Sequence, residues 1–215
     1  MKAKFTIDYC QQQQWGSEIG LRQSPIDIQT ASVEPSTDRQ LTKLDVTIHQ
    51  ENASFFNNGQ NLQLLCQGQA TLNNRPFQLI QMHFHTDSEH SIDGKKFPME
   101  GHFLFHGINQ QIAVIGVFYE IGTENAAFEE VLDHFDTETD CGSLDFNLLL
   151  PENKSYYHYL GSLTTPPLTE NVEWYVLKRT VEVSAQQIDR FKEMHGHNCR
   201  LQQAINQRTV LSYNE

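Results

Sequence analysis

Short stretches of alternating or continuous apolar residues recur along the chain and predict β-strands. Six such stretches lie at positions 44–49, 62–66, 77–85, 99–106, 112–119 and 172–179. Residues typical of turns separate them, including Asn57-Asn58-Gly59, Asn73-Asn74, Asp93-Gly94 and Asn109. The segment 112–118 is apolar on both strand faces, which is typical of a strand in the centre of a sheet.

Two helices are predicted beside these strands. The first spans 124–135 with Thr123 as its N-cap. Its apolar residues recur at helical intervals, at Phe128, Val131, Leu132 and Phe135. The second helix spans 186–193, where Ser184 and Gln187 have the spacing of a capping box.

Many strands and few helices place the chain in the mainly β class. We expect a large, twisted, mostly antiparallel central sheet with a few peripheral helices. No repeat or linker divides the sequence, so residues 1–215 are expected to form one domain.

The composition excludes several classes of partner. The net charge of −12 argues against nucleic acids and anionic membranes, which bind basic surfaces. The apolar stretch 112–119 is too short to span a bilayer, so no membrane span is expected. Residues 5–14 contain no apolar run that resembles a signal peptide.

The four cysteines are scattered and form no Cys-x-x-Cys pair; they are Cys10, Cys66, Cys141 and Cys199. This pattern disfavours a cysteine zinc site and a redox motif. Free thiols in a reducing compartment are the simpler interpretation, so a cytoplasmic location is expected. A periplasmic or secreted location would follow if a signal peptide had been removed.

Three histidines carry the predicted chemistry. Strand alternation places His83 and His85 on one face of the segment 81–85, with Phe84 on the other face. The same alternation places His102 and Glu100 on one face of the segment 100–104. If the two strands pair, three imidazoles converge and leave a fourth position open, as in catalytic zinc sites.

Polar residues on the same strand faces strengthen this zinc prediction. Gln81 and Glu100 each lie two residues before a candidate ligand. A zinc-bound imidazole usually donates its other N–H to a carboxylate, amide or carbonyl group. Taken alone, a His-x-His pair in a strand is more often an ordinary surface or core feature. The zinc prediction therefore depends on the three histidines taken together with Gln81 and Glu100, the polar residues expected to support them.

Four motifs, taken in order, resemble the α-class carbonic anhydrases. They are Gln23-Ser24-Pro25-Ile26-Asp27-Ile28, the three histidines, Ser88-Glu89-His90 and Gly161-Ser162-Leu163-Thr164-Thr165-Pro166-Pro167. The similarity runs from about Trp15 to near Tyr213. The resemblance implies a zinc enzyme that hydrates carbon dioxide reversibly to bicarbonate and a proton, and that sulfonamides inhibit. It also implies cis peptide bonds at Ser24-Pro25 and Pro166-Pro167.

Carried over position by position, the resemblance implies a role for individual residues. His83, His85 and His102 become the Zn²⁺ ligands. Their supports become Gln81 for His83, Glu100 for His102 and the backbone carbonyl of Asn198 for His85.

The resemblance also implies the residues that act on the substrate. Thr164 would accept a hydrogen bond from zinc-bound hydroxide, because its only proton goes to Glu89. Thr165 would line the same side. An apolar wall would hold carbon dioxide, formed by Leu104, Val114, Leu163, Val172 and Trp174. Strand alternation independently places Val172 and Trp174 on one face.

The sequence departs from the family at several positions. The usual proton-shuttle histidine is replaced by Gln60, whose amide does not titrate near neutral pH. We therefore expect turnover limited by proton transfer. The usual disulfide is absent, because Leu168 follows Pro167 where a cysteine would stand. Tyr9 is a candidate for the cavity tyrosine, and Leu104 is bulkier than the usual valine.

Two alternatives remain at this point. A cupin metalloprotein fits the run from His83 to Glu89 as His-x-His-x-x-x-Glu, with Glu89 as a fourth ligand. Phe77, however, stands where cupins expect glycine. The other alternative is a non-catalytic binding module on a carbonic-anhydrase scaffold, although such relatives typically lose a zinc histidine. We expect a monomer or a homodimer.

Overall fold

The computed structural model describes residues 7–16, 20–37, 41–57, 62–134 and 145–215. Its longer strands are β3 (Asp45–Asn57), β4 (Leu62–Leu72), β5 (Arg75–His85), β7 (Met99–Gly107), β8 (Ile112–Ile121), β9 (Tyr156–Ser162) and β10 (Glu170–Leu177). The short strands are β1 (Asp27–Ile28), β2 (Glu34–Pro35), β6 (Ser91–Ile92), β11 (Val181–Val183) and β12 (Leu211–Tyr213). The α-helices are α1 (Ala126–Asp133) and α2 (Ala185–His195), and 3₁₀ helices span Tyr9–Gln14, Thr30–Ser32 and Phe146–Leu149.

A ten-stranded sheet dominates the described part of the chain. Its strand order is β2-β12-β9-β10-β8-β7-β5-β4-β3, and β11 also pairs with β8. Most neighbours are antiparallel, whereas β10 and β11 run parallel to β8, and β2 runs parallel to β12. The predicted mainly β, mostly antiparallel fold with few helices is therefore confirmed.

All six predicted strands are present, with bounds shifted by a few residues. The apolar segment 112–118 lies in β8, in the middle of the sheet between β7 and β10. The sequence pattern does not predict β9, because buried and partly exposed positions do not alternate along it. This strand nevertheless lies inside the sheet, between β12 and β10.

The helix predictions were partly right. In α2, Ser184 and Gln187 form the predicted capping box. In α1, the N-cap is Asn125 and not Thr123, since the Asn125 side chain accepts the Phe128 N–H at 3.0 Å. The backbone N–H of Thr123 donates to the Glu182 carboxylate.

The two faces of the sheet bury different clusters. One face carries the large core, where α1 and α2 cover strand residues such as Phe84; its ring lies 5.0 Å from Phe128. The other face carries a smaller apolar cluster around Val114 and Trp174. Strand alternation turns His83 and His85 away from the large core, towards this second face.

Gly161 allows the N-terminal segment to dock onto β9. A Cβ atom at this position would lie 2.1 Å from the Ser24 hydroxyl, so a larger residue does not fit. In its place, Ser24 and Ser162 exchange hydrogen bonds through their backbone N–H groups and hydroxyls. Cis peptide bonds precede Pro25 and Pro167, as predicted, and a third joins Thr86 to Asp87.

Candidate metal centre

The register of β5 and β7 brings the three histidines together. His83 stands directly opposite His102, and His85 stands opposite Glu100. The ring centroids lie 5.0 Å apart for His83 and His85, 5.2 Å for His83 and His102, and 4.6 Å for His85 and His102. Each ring offers one nitrogen, and the three nitrogens lie within 4.8 Å of one another.

Hydrogen bonds determine which nitrogen each ring offers. The Nδ1 atoms of His83 and His85 lie 2.9 Å from the Gln81 amide oxygen and 2.7 Å from the Asn198 carbonyl. Because both partners only accept, these Nδ1 atoms carry the proton and leave Nε2 with a lone pair. His102 is reversed, since its Nε2 donates to Glu100 at 2.9 Å and its Nδ1 keeps the lone pair.

These residues fit a zinc ion. Neutral imidazole nitrogens are typical zinc ligands, and three of them leave one coordination position for water. The Nε2 atom of His85 is fully buried and, among the described residues, has no hydrogen-bond partner. An orphaned buried acceptor is costly, and a metal ion would satisfy it.

Burial keeps two of the candidate ligands, His83 and His85, neutral. It lowers the pKa of His83 well below its usual range, and the neighbouring His85 and His102 lower it further. Burial also lowers the pKa of His85 to about 4, although Glu89 acts in the opposite direction. Metal ligands must be deprotonated, so these rings need not lose a proton at neutral pH to bind an ion.

Glu100 joins the histidine cluster to a second polar network. It accepts from His102 and from the His90 Nδ1 at 2.7 Å, and the His90 Nε2 accepts from the Tyr159 hydroxyl at 2.7 Å. Burial alone would raise the pKa of Glu100, but His90 and His102 hold it well below its usual range. The sequence predicted Glu100 as the support of His102 and placed His90 in one of the family motifs. It indicated no role for His90 or Tyr159.

The two oxygens of Glu89 have different surroundings. Its Oε1 accepts the backbone N–H of Arg200 at 2.7 Å. Its Oε2 is buried and has no hydrogen-bond partner in the described part of the chain. This oxygen lies 3.9 Å from the His102 Nδ1, so the carboxylate borders the candidate metal position.

The predicted apolar wall forms one cluster. Val114, Val172 and Trp174 are buried in it, and Leu104 and Leu163 pack against it. Leu104 and Val114 are cross-strand partners on β7 and β8, and Val114 in turn pairs with Trp174 on β10. The Trp174 ring lies 4.9 Å from the His102 ring, so this wall adjoins the histidines. Thr164 is buried in the bend after β9, and Thr165 beside it is half-buried.

Other predicted positions lie apart from this geometry or outside it. Gln60 and Cys141 lie outside the described residues. Cys10 and Cys199 are free thiols, and Cys66 is buried in the large core. The Tyr9 ring packs against Trp15 at 5.2 Å, and its role stays a prediction.

None of the helices within the described ranges combines the length and apolar character that crossing a bilayer requires.

A cavity of about 910 Å³ is lined by none of the three candidate ligands His83, His85 and His102. Leu21, Arg22, His158, Tyr159 and Arg208 contribute to its lining, and none of the predicted site residues does. The Arg208 guanidinium already donates to three backbone carbonyls, those of Ile205, Leu160 and Ala204.

Comparisons with known proteins agree with this geometry. A family model described as eukaryotic-type carbonic anhydrase matches residues 10–214. A carbonic anhydrase from Pectobacterium atrosepticum is 36% identical over 202 residues, which cover 90% of this chain and 81% of that protein. A carbonic anhydrase from Nostoc sp. is 35% identical over 203 residues, which cover 90% of this chain and 76% of that protein.

A solved structure shares the fold. It is the α-carbonic anhydrase from Thermovibrio ammonificans with the inhibitor sulfanilamide, and it superposes with a TM-score of 0.84 at 37% identity. The match covers 89% of this chain and 87% of that one. The cupin alternative is therefore wrong. The chain belongs to the α-carbonic anhydrase family of zinc enzymes and is itself a carbonic anhydrase.

Proposed function

We propose that this enzyme hydrates carbon dioxide reversibly with a zinc ion held by His83, His85 and His102. One observation carries the proposal: each ring has one nitrogen bonded to a protein acceptor and the other turned to a shared centre. When bound, zinc lowers the pKa of a ligating water from 15.7 to about 7, values already established for carbonic anhydrase.

The surrounding residues orient the attacking oxygen. In the proposal, the Thr164 hydroxyl donates a hydrogen bond to Glu89 Oε2, an oxygen that has no hydrogen-bond partner among the described residues of this structure, Thr164 included. The same hydroxyl can then only accept a hydrogen bond from the attacking oxygen. One lone pair of that oxygen is thereby directed at the carbon of the substrate, and Thr165 borders the same side.

The apolar wall selects the substrate. Carbon dioxide is small and uncharged, so a cluster that includes Val114, Val172 and Trp174 binds it weakly. Bicarbonate is charged and gains little from this surface, which favours its release. Substrate binding and product release thus follow from the same apolar contact.

The residue that passes the proton to solvent distinguishes this chain from family members that carry a shuttle histidine. The proposed limiting step is the transfer of a proton to solvent, because Gln60 replaces the usual shuttle histidine. The sulfanilamide complex of the Thermovibrio ammonificans relative supports inhibition by primary sulfonamides.

A stopped-flow carbon dioxide hydration assay on protein of measured zinc content tests the proposal. We expect activity that scales with bound zinc and that sulfanilamide abolishes. Stoichiometric zinc without hydration would contradict the proposal and would favour the non-catalytic binding module. Activity in zinc-free protein would contradict the assigned ligands.

A further inference from the structure

The cavity of about 910 Å³ lies at the β2 end of the large sheet. The strands β2, β12 and β9, which are neighbours at this end, all contribute residues to its lining. Segments 21–22 and 206–209 contribute the other residues, and the Asn206 amide joins the two segments by donating to the Leu21 carbonyl at 2.6 Å. Small-molecule sites usually have volumes of roughly 300 to 1,000 Å³, so the cavity has the size of a binding site.

Two arginines, Arg22 and Arg208, give the lining of this cavity its positive charge. Within the described ranges, neither guanidinium forms an ion pair with a carboxylate. The Arg208 guanidinium donates to three backbone carbonyls, which satisfy N–H groups but neutralise no charge. The Arg22 side chain makes no hydrogen bond to any described residue. The described part of the chain therefore supplies no counter-ion for either side chain.

The two guanidiniums are close enough to repel each other. Burial lowers the pKa of Arg208, and the positive charge of Arg22 lowers it further, although Tyr159 and Glu170 act in the opposite direction. Arg208 is half-buried, and its Cζ atom lies 5.5 Å from the centroid of the Tyr159 ring. Like charges in a partly buried position cost free energy, which a bound anion would offset.

The nearby carboxylates do not remove this positive charge. Glu170 Oε1 accepts the Arg22 backbone N–H at 2.8 Å and a side-chain N–H of Gln23 at 2.9 Å, so it bonds to groups other than the guanidiniums. Glu34 lines the cavity, but it is exposed and, among the described residues, pairs with neither arginine. Two guanidiniums and one carboxylate leave the lining with a net positive charge. Because the whole chain carries a net charge of −12, this positive site favours a small anion over a large polyanion.

Apolar side chains lie in the same lining as the two arginines. Leu21 and Leu160 contribute to it, and they are 76% and 42% exposed. Leu211 contributes as well and is partly buried. A ligand with an apolar part would remove this leucine surface from water, which is favourable. The lining therefore suits a ligand that combines a negatively charged end with a hydrocarbon part.

We propose that this cavity binds a small organic carboxylate. Its oxygens pair with the Arg22 and Arg208 guanidiniums, whose planar arrays of N–H groups match the geometry of a carboxylate. The carbonyl bonds of Arg208 leave further N–H groups of that side chain for the ligand. The hydrocarbon part of the ligand covers Leu21 and Leu160. The cavity shares no candidate metal ligand with the histidine cluster, so this is a second site.

Isothermal titration calorimetry with hexanoate tests the proposal on the zinc-loaded, full-length chain. The titration is run with and without excess sulfanilamide, which occupies the metal centre. We expect one saturable hexanoate site whose affinity is the same in both conditions. Acetate has the same carboxylate but lacks the longer chain, so it should bind at least about tenfold more weakly. Inorganic phosphate, an oxyanion without an apolar part, should also bind more weakly than hexanoate.

Variants of Arg22 locate the bound hexanoate. Arg22→Gln should weaken binding about tenfold, because the variant loses a charge-assisted pair. The variant should fold, since the Arg22 side chain is exposed and bonds to no described residue. Arg22→Lys keeps the charge but not the planar array of N–H groups, so its affinity should be intermediate. Arg179→Gln is the matched control and should bind like wild type, because it removes the same charge from an exposed position outside the lining.

Four results would overturn the proposal. One is the absence of saturable hexanoate binding to wild type. Equal weakening in Arg22→Gln and Arg179→Gln would show that the net charge of the chain, and not this cavity, attracts the anion. Phosphate or acetate binding as tightly as hexanoate would contradict the proposed class of ligand. Displacement of hexanoate by sulfanilamide would place the carboxylate at the metal centre instead.

Discussion

His83 and His102 are direct cross-strand partners on β5 and β7, and their rings stand at 89° to each other. A slip of one residue in this register would turn His102 to the opposite face of the sheet. The metal centre therefore depends on strand pairing as much as on the identity of its ligands.

Replacing His83 with alanine should abolish tight zinc binding. Only two ring nitrogens would remain, too few for a catalytic site of this type. Zinc content measured after dialysis should fall at least about tenfold, and added zinc should no longer raise the melting temperature. His158→Ala is the control, because His158 bonds to the Trp174 carbonyl and offers nothing to the cluster. Wild-type zinc content in the His83 variant would refute the ligand assignment.

Glu100→Gln should weaken zinc binding without removing a ligand. Glu100 accepts from the His102 and His90 rings through Oε1 and from the His90 backbone N–H through Oε2, whereas glutamine has only one acceptor oxygen. We expect a loss of zinc affinity of about 10- to 100-fold, measured by competition with a chelator. Glu120→Gln, at an exposed position bonded to Thr180, should leave affinity unchanged. Equal affinities in the two variants would argue against the support role.

Gln60→His should raise turnover in weakly buffered solution. An imidazole with a pKa near 6.5 can carry the proton that glutamine cannot. Stopped-flow kcat should increase in the variant, and added imidazole should raise wild-type kcat more than it raises that of the variant. Gln60→Asn is the matched control and should behave like wild type. If neither histidine nor imidazole changes kcat, proton transfer does not limit turnover.

The ion pair between Arg75 and Glu173 should make stability depend on pH. Burial alone would raise the pKa of Glu173, but hydrogen bonds from Arg75 and Tyr175 hold it below its ordinary 4.5. A depressed carboxyl pKa adds stability that is present above the unfolded pKa and is lost as the pH falls through the folded pKa. Because the Arg75 side chain is 48% exposed, solvent screening keeps the contribution near 1 kcal/mol.

Urea unfolding of wild type and Arg75→Gln between pH 3 and pH 7 checks this expectation. Wild type should be more stable by about 1 kcal/mol above pH 4.5, and the difference should shrink below it. Lys43→Gln breaks the more exposed pair with Glu215 and should cost less. A difference between wild type and Arg75→Gln that grew towards acid would contradict the assignment.

Strand alternation alone predicts much of the site. It places His83 and His85 together, and Glu100 with His102, because side chains in a strand point to alternate faces. The resemblance adds Thr164, Glu89 and the apolar wall, whose roles stay predictions. The wall residues do form one cluster, and alternation along β10 had already paired Val172 with Trp174.

The sequence by itself determined the local features: six strands, the capping box at Ser184 and the face on which each histidine lies. Only the tertiary structure decided that β10 pairs parallel with β8, that β9 lies between β12 and β10, and that Asn198 bonds to a candidate ligand 113 positions away. The physical reason is that residue periodicity reports burial along one element, whereas contacts between distant segments depend on packing the whole chain.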